Sequence, residues 1–372
     1  MLTFDDLAKK YEDFHVPQYE IKIGAPGSGV NSLSQLPPAD YPVLSISVTQ
    51  SVGPASIAQI AFACPYDYEN SDFINDIYSK LFPGSMVEIK LGYEKPDTVF
   101  VGALGSIHTD FSTSGVTAGI TCYDAKMTLF YNTAWKSYKE KSTIQEVVEE
   151  ILKPCKKYGQ VEVSGTKYDK AIEKGNEISW IQDNIDDYRF VMHLAALTNS
   201  SFYTSGDTIY FTENIAESAE AIVGLGWGKG LISFSVNIDI SGQVGSVEVA
   251  YRSGDRKEAY FRYDGKDVPG QGKLPEDKGD VVSGKAHELT ETLVRNAEQA
   301  EQAAKSIYMQ AAMNYVTGRG STIGIPELKA GTSIEIEGVG KKLEGKYFLN
   351  QVTHQFDAGG YLTNFECQRP KI

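Results

Sequence analysis

The chain has 372 residues, 41% of them hydrophobic and 23% charged, so it is long enough for two or three domains with sizeable cores. Its 35 basic and 49 acidic residues give a net charge of −14, which argues against a protein that binds the phosphate backbone of nucleic acids. No stretch approaches the roughly 18 apolar residues of a membrane-spanning helix, and the acidic N-terminal segment MLTFDDLAKKYEDFH is not typical of a signal peptide.

Residues 1–135 carry mostly the patterns of β-strands. A stretch rich in Gly, Ser and Pro at 24–38 predicts a loop. Residues 70–82 predict a helix with Ser71 as its N-cap and Pro83-Gly84 after its end. Alternating apolar and polar residues predict strands at 19–24, 43–52, 56–64, 85–94, 98–112 and 116–124.

A region of mixed type follows at 136–225. Residues 142–158 predict an amphipathic helix that is capped by Ser142. A second helix is expected to begin near Asn184 and to lead into a β-hairpin that turns at 205–207.

Residues 226–372 return to strand patterns, interrupted once. The segment 266–284 lacks apolar periodicity and predicts an exposed loop or link. A long helix with an Ala-rich stripe is predicted at 286–316; it either forms a coiled coil or, as we favour, packs on the protein's own sheet. The predicted strands lie at 231–240, 246–253, 257–265, 332–338, 346–357 and 360–369.

Two distant segments share one ordered pattern. GSMVEI at 84–89 and GTSIEI at 331–336 are each followed by a strand, a His, a Phe, a Gly and a strand that ends in Cys. The recurring residues are His108 and His354, Phe111 and Phe356, Gly115 and Gly360, and Cys122 and Cys367. The nearly constant spacing predicts two β-domains of one design in one chain. Three such chains would give a ring of six similar domains, which suits a protein that joins a three-fold object to a six-fold one.

Four segments carry a resemblance to a known family: 82–107, 142–152, 184–212 and 345–369. They resemble the late control protein D group of contractile phage tails, which are baseplate hub proteins. They are also similar to the N-terminal hub part of VgrG-type spike proteins from type VI secretion and related contractile injection systems. The resemblance covers nearly the whole chain and rests on patterns of strands and turns.

The resemblance implies a mainly β fold with α insertions (α+β). Two tube-protein-like β-barrel domains at 1–135 and 226–372 would flank the mixed linking region at 136–225. The protein would be a homotrimer that caps the hexameric tail tube protein, carries a trimeric spike protein and contacts other baseplate proteins. It would be made in the bacterial cytoplasm and assembled into a virion or an extracellular tail-like particle such as a bacteriocin. Because the sequence ends at Ile372, just after the second barrel, we expect the spike to be a separate polypeptide.

Several polar residues were candidates for chemistry, and each has a simpler interpretation. His108 and His354 lack a neighbouring nucleophile or carboxylate in a triad pattern, which favours a role at a strand edge or lumen. Asp183, Asp186, Asp187 and His193 could be metal ligands, but Asp186 and Asp187 fit the first turn of a helix, where carboxylates are favourable. The four cysteines Cys64, Cys122, Cys155 and Cys367 lack zinc spacing.

Two glycine-rich stretches also lack the context of a nucleotide site. Residues 24–32 have no P-loop lysine, and residues 224–230 precede a strand instead of a helix. We therefore predict loops there and expect no catalytic, cofactor-binding or metal-binding residues and no cofactor.

The leading hypothesis is a structural assembly protein, not an enzyme, without specific nucleic-acid binding or stable membrane insertion. The acidic composition suggests that acidic side chains line the lumen of the ring and repel DNA or acidic cargo. The alternative is a tail-associated enzyme that degrades cell wall, or a carbohydrate-binding tail component. It stays open because a pair of carboxylates that is close in space cannot be recognised in a sequence.

Overall fold

The computed structural model describes residues 1–138, 143–164, 180–213, 220–252, 258–265, 286–290, 294 and 296–372, so the predicted loop at 266–284 lies outside the described residues. The strands are β1 (Gln18–Pro26), β2 (Ser34–Gln35), β3 (Val43–Ser51), β4 (Ile57–Ala63), β5 (Tyr66–Asp67), β6 (Asp72–Phe73), β7 (Ser85–Gly92), β8 (Asp97–Ser112), β9 (Gly115–Asp124), β10 (Thr133–Tyr138), β11 (Gln160–Ser164), β12 (Trp180–Asp186), β13 (Ser200–Ser205), β14 (Thr208–Glu213), β15 (Ala221–Trp227), β16 (Gly230–Ile238), β17 (Ser246–Arg252), β18 (Glu258–Tyr263), β19 (Ala286–Thr290), β20 (Val316–Ile323), β21 (Ser333–Glu337), β22 (Gly345–Asp357) and β23 (Gly360–Arg369). The α-helices are α1 (Phe4–Lys10), α2 (Ile144–Ile151), α3 (Asp187–Thr198) and α4 (Ala297–Met313). Short 3-10 helices lie at Glu12–Phe14, Val30–Ser32, Ile77–Ser79, Ala125–Tyr131 and Lys153–Tyr158.

The fold is mainly β and is organised by one large sheet. Its strand order is β2-β1-β7-β8-β9-β4-β3-β22-β21-β15-β16-β20-β23, and β22 also pairs with β23. This extra pairing closes β22, β21, β15, β16, β20 and β23 into a six-stranded barrel, here called the carboxy-terminal barrel. The run β1-β7-β8-β9-β4-β3, here called the amino-terminal sheet, joins the barrel through β3 and β22.

One apolar core serves both parts of the large sheet. Ile46 and Phe62 of the amino-terminal sheet belong to the same buried cluster as Ile334 and Phe365 of the barrel. The structure therefore shows a closed barrel with further strands and a shared core.

The hairpins β8–β9 and β22–β23 have the same pairing throughout. Phe111 opposes Val116, and Phe356 opposes Tyr361. The first hairpin has a bulge between Leu104 and Ser106, and the second has one between Leu349 and Gln351. Each of these positions in the second hairpin lies 245 residues after its counterpart, as from 104 to 349.

The strands that precede these hairpins also match. The backbone N–H of Gly84 donates to the carbonyl of Leu104 at 2.7 Å, and that of Gly331 donates to Leu349 at 2.9 Å. Both glycines have positive φ angles, 88° and 87°, which residues with a side chain adopt only with strain. Because the register and the turn are the same in both segments, the two segments share one three-stranded design.

The linking region forms a separate α/β layer. Strand β10 pairs with β12, and β11, β14 and β13 form a second sheet. Its core includes Val147, Phe190 and Phe202, together with Met86 and Val101 from the amino-terminal sheet. The layer is therefore packed onto the large sheet.

The helices of this layer begin later than predicted. Thr143 caps α2 in a capping box with Glu146, whereas Ser142 lies outside the described residues. Helix α2 ends at Ile151, and Pro154 lies in the 3-10 helix that follows. Helix α3 is capped by Asp186 and not near Asn184, because β12 occupies the chain up to Asp186.

The predicted helix 286–316 was wrong in its first part. Residues 286–290 form β19, which pairs in parallel with β17, and the helix begins only at Ala297. The buried alanines of α4, such as Ala300 and Ala304, pack in one core with Val247 and Val249 of β17, so the helix covers the protein's own sheet. The predicted strands 246–253 and 257–265 belong to this added sheet, β18-β17-β19, and not to the barrel.

The predicted helix 70–82 is also wrong. The segment forms the short strand β6 and a 3-10 helix that is capped by Asp76, while Ser71 has a φ of 53°. Its apolar residues form a local aromatic cluster, in which the rings of Phe73 and Phe111 lie 6.1 Å apart and Phe73 also packs on Tyr66. These local contacts replace the helical packing that the spacing suggested.

Two glycine-containing strands escaped prediction. Residues 224–227 belong to β15, whose Gly224 N–H donates to the Leu2 carbonyl at 2.9 Å. In β20, Gly320 lies beneath the ring of Phe365, where a Cβ atom would come within 2.4 Å of the ring. Glycine is used here for close packing, although its usual effect in a strand is destabilising.

Candidate functional site

Eight neighbouring strands present one continuous polar face to solvent. They run in the order β8-β9-β4-β3-β22-β23-β20-β16, and each pairs with the next. Because side chains alternate along a strand, one face fills the apolar core and the other carries mostly Ser, Thr, Gln and Asn. We call this second surface the polar face; its members include Ser45, Ser47, Thr49, Gln59, Thr117, Thr121, Ser233, Ser235, Asn237, Thr317, Ser321, Gln351, Thr353, Gln355, Asn364 and Gln368.

The polar face carries few ionisable groups although the chain has a net charge of −14. Arg319 and Glu366 form an ion pair with an N–O distance of 3.0 Å. The other carboxylate and imidazole side chains that the strand pairings place on this face are His108, Asp110 and Asp357. The surface is therefore hydrophilic and sparsely charged, with one basic side chain against three acidic ones.

The junction of β3 and β22 lies in the middle of the polar face. The two strands pair antiparallel from Ser51 opposite Gln351 to Ser45 opposite Asp357. On the polar face, the hydroxyl oxygens of Thr49 and Thr353 lie 3.1 Å apart.

The core side of this junction is also tightly bonded. The rings of Tyr19 and Phe356 contact each other edge to face at 5.1 Å. Buried Gln50 donates to the Val99 carbonyl at 2.8 Å and accepts from the Ala330 N–H at 3.3 Å. Val99 belongs to the amino-terminal sheet, and Ala330 lies in the connection from β20 to β21 of the barrel, so this side chain holds the two parts together.

The two outermost strands of the face have edges with no strand partner among the described residues. These open edges are residues 106–112 of β8 and residues 233–238 of β16. They carry apolar side chains that are partly in solvent: Phe111 is 62% exposed and Ile238 is 45% exposed. An open edge with exposed apolar groups is a template for pairing with another strand.

The two histidines of the sequence repeat do not occupy equivalent positions. His108 opposes Gly119 and is exposed on the polar face, where its counterpart is Thr353. His354 opposes Thr363 on the core side and is fully buried. The sequence pattern matched them only because they are one residue out of register.

His354 is held as a neutral ring. Its Nε2 lies 3.1 Å from the Leu328 carbonyl, to which it donates, so Nδ1 is left to accept from Tyr361 at 2.8 Å and Thr363 at 3.2 Å. Burial lowers the pKa of His354 to about 3, because the charged form would lose its hydration. A neutral, fully bonded histidine of this kind is a structural group.

This histidine predicts a pH dependence of stability. The unfolded chain takes up a proton at the ordinary pKa of 6.5 and the folded chain only at about 3, so stability is complete above pH 6.5 and falls as the pH drops. Because of this group, the free energy of unfolding falls by about 1.4 kcal/mol for each pH unit in that window. We expect His354→Gln to reduce the loss between pH 6.5 and pH 5 in urea unfolding. His108→Gln is the exposed control and should follow the parent curve; equal slopes for all three proteins would contradict the assignment.

Two of the candidate metal ligands, Asp186 and Asp187, are engaged in hydrogen bonds at the start of α3. Asp186 accepts from the Arg189 N–H at 2.7 Å as the N-cap of α3. Asp187 accepts from Asn132 at 2.6 Å and from Gln182 at 2.8 Å. Within the described ranges, no group of three or more His, Cys, Asp or Glu side chains is placed to hold a metal ion.

All four cysteines are buried and free. Burial raises the pKa of the Cys122 thiol to about 12 and that of Cys155 to about 11, which keeps both protonated.

One open depression of about 420 Å³ lies on the polar face beside Arg319 and Glu366. Its walls are the strands β16, β20, β22 and β23, so it is part of the polar face.

The important signal that sequence reasoning missed is the open edge of β16. The alternation at 231–240 predicted the strand, yet it could not show that Phe234 and Ile238 lie at an edge with no strand partner among the described residues.

None of the helices in the described part of the chain is long and apolar enough to cross a membrane.

Comparison with known proteins gives one family and a group of similar structures. A family model described as "Alg8 N-terminal domain" matches residues 30–358. No curated protein sequence gives a significant match.

The similar structures are tail and secretion-system proteins. A tail protein from Neisseria meningitidis aligns with a TM-score of 0.67 at 11% identity, covering 94% of this chain and 96% of that one. A 43 kDa prophage tail protein from Shewanella oneidensis aligns with a TM-score of 0.64 at 13% identity, covering 94% and 98%. A type VI secretion component from E. coli aligns with a TM-score of 0.56 at 13% identity, covering 93% and 76%. At these identities the likeness establishes a shared fold.

Proposed function

The chain belongs to the Alg8 N-terminal domain family, and we propose that it is the structural baseplate hub of a contractile phage tail or phage-tail-like particle. Three chains form a pseudo-six-fold ring that joins a hexameric inner tube to a trimeric spike. The fold shared with phage tail proteins and a type VI secretion component supports this proposal. The protein acts by matching symmetries and performs no catalysis.

The observation that carries the proposal is the duplicated sheet. β8–β9 and β22–β23 have the same register and the same bulge, so each chain supplies two copies of one unit. The two copies already stand edge to edge through β3 and β22. Three chains that continue this arrangement present six similar units to a six-fold tube and three identical chains to a three-fold spike.

The polar face supports a channel through the ring. In the proposed ring this face lines the lumen, and its short hydroxyl and amide side chains offer cargo few charges to bind. The composition suggested an acidic lumen; most acids of the described chain lie off this face, which carries three acidic side chains against one basic one. Passing DNA or protein would meet a hydrophilic wall with few charges, most of them acidic.

A reconstitution experiment tests the hub role. The chain is mixed with the tube protein and the spike protein of its own particle, and the complexes are separated by size. We expect one complex that contains all three proteins, whereas tube and spike without this chain stay apart. Failure of the chain to bind either protein would contradict the proposal.

Zymography on cell-wall substrate tests the alternative. A structural hub leaves no cleared band, alone or in the reconstituted complex. A cleared band that follows the purified chain would favour the wall-degrading enzyme.

A further inference from the structure

We propose that the open edge of β8 in one chain pairs antiparallel with the open edge of β16 in a second copy of this chain. The predicted register places Phe111 opposite Phe234, Thr109 opposite Val236 and Ile107 opposite Ile238. This inference rests on the proposed function and specifies the contact that closes the ring.

Strands β16 and β3 are equivalent. Val48 of β3 opposes Ala58, which opposes Cys122. Val236 of β16 opposes Gly318, which opposes Cys367, the repeat partner of Cys122. Each strand therefore occupies the same place beside its own hairpin.

A shared irregularity fixes the same alignment independently. The pairing of β3 shifts between Val43 and Ser45, and that of β16 shifts between Leu231 and Ser233. Each bulge leaves one exposed apolar residue, Leu44 at 47% and Ile232 at 56%. The two strands thus carry the same bulge at the same position.

The junction of β3 and β22 is a template for the contact between chains. Within the chain, β3 pairs with residues 351–357 of β22. The equivalents of these two strands are β16 and residues 106–112 of β8, which are the two open edges. The chain therefore contains one formed junction, between β3 and β22. It also contains the two strands of an equivalent junction, β16 and β8, which are not paired with each other.

The side chains of the two open edges also match chemically. On the core side the junction pairs Phe356 with Ile46, and the proposed contact pairs Phe111 with Phe234. Aromatic and β-branched cross-strand pairs of this kind are stabilising. Phe111 is 62% exposed in the single chain, so the contact would bury an apolar side chain that now lies in solvent.

The polar side matches as well. The junction pairs Thr353 with Thr49, and the equivalent contact pairs His108 with Asn237. One register thus places apolar beside apolar and polar beside polar, whereas a shift of one residue would reverse this for every side chain.

The position of the edges identifies the occupant as a second copy. They lie at opposite ends of the eight-strand run, so one copy offers a β8 edge where the next offers a β16 edge. Such a head-to-tail contact forms a ring when the rotation between copies closes. A single bound peptide strand would fill one edge and leave the other open.

Disulfide cross-linking tests the register. Directly opposed residues of an antiparallel pair have Cα atoms about 4.5–5.5 Å apart, within reach of a disulfide. The variant His108→Cys with Asn237→Cys should give covalent dimers and trimers under mild oxidation. All four native cysteines are buried, which keeps background low. The control is Asp110→Cys with Asn237→Cys, which is displaced by two residues and should stay mostly uncross-linked.

Charge substitution provides a second test that does not depend on oxidation. The variant His108→Lys with Asn237→Lys places like charges directly opposite at every contact, and we expect the concentration for half assembly to rise roughly tenfold or more. The variant His108→Lys with Asn237→Glu should restore assembly. Gln59→Lys, on the central strand β4 of the polar face, is the matched control and should leave assembly unchanged.

The outcomes separate this inference from the hub proposal. Trimers that cross-link at 108 and 237 support both. The register is overturned if the two lysine substitutions leave trimer assembly unchanged, or if cross-linking is stronger at 110 and 237. The hub proposal would still stand in either case. A chain that stays monomeric with its spike protein and never cross-links overturns both.

Discussion

Replacing Asp124 by alanine is expected to lower the free energy of unfolding by about 3–5 kcal/mol, because it leaves a buried positive charge without its partner. Lys126 is completely buried, and its Nζ lies 3.7 Å from the Asp124 carboxylate. The ammonium also donates to the carbonyls of Ser51, at 3.0 Å, and Pro54. Burial lowers the pKa of Lys126, while the charge of Asp124 opposes that change.

The same carboxylate serves two neutral groups. Asp124 accepts from the Ser56 N–H at 2.9 Å and from the Thr204 hydroxyl at 2.7 Å. Since Thr204 lies on β13, this network connects the linking region to the amino-terminal sheet. Urea unfolding of Asp124→Ala measures the loss, and Asp110→Ala, an exposed carboxylate, should change stability by less than about 0.5 kcal/mol. A loss for Asp124→Ala as small as that of the control would show that the pair contributes little.

Replacing Phe365 by alanine should cost about 3–5 kcal/mol, as is usual for removing a large ring from a core. The ring is 3% exposed inside the carboxy-terminal barrel and lies 6.4 Å from that of Phe234. Gly320 provides the space beneath it. The barrel cannot easily close the resulting cavity, because its strands are fixed by pairing on both sides.

Phe111→Ala is the matched control for this substitution. Its ring is largely in solvent in the single chain, so we expect a loss of about 1 kcal/mol or less in the monomer. The same change should weaken assembly of the ring, where Phe111 would face Phe234. A large loss of monomer stability for Phe111→Ala would mean that its local contacts with Tyr66 and Phe73 dominate.

Much of the large sheet was predictable because its strands alternate. The pattern at 43–52, for example, has Ile46 and Val48 buried and Ser47 and Thr49 toward solvent, as the structure shows. The hairpins at 98–124 and 346–369 were found with ends within a residue or two of the observed strands. Alternation is a local property of a half-buried strand, so it survives in the sequence.

The missed elements are those in which tertiary packing overrides local preference. Gly318 and Gly320 make β20 a poor strand by propensity, yet they admit the aromatic rings of the barrel. The spacing at 70–82 resembles a helix, whereas its rings pack with Phe111 from another strand. The duplication was visible in the sequence, because Phe111, Gly115 and Cys122 each recur 245 residues later. The histidines were misleading, because His108 is equivalent to Thr353 and not to His354.

The native mass of the purified protein tests the central claim most directly. It is measured over a range of concentrations, alone and with the spike protein of the same particle. The account predicts a species of three times 40.8 kDa, joined by one spike trimer when the spike is present. A mass of 40.8 kDa at every concentration, with and without the spike, would contradict the three-chain ring.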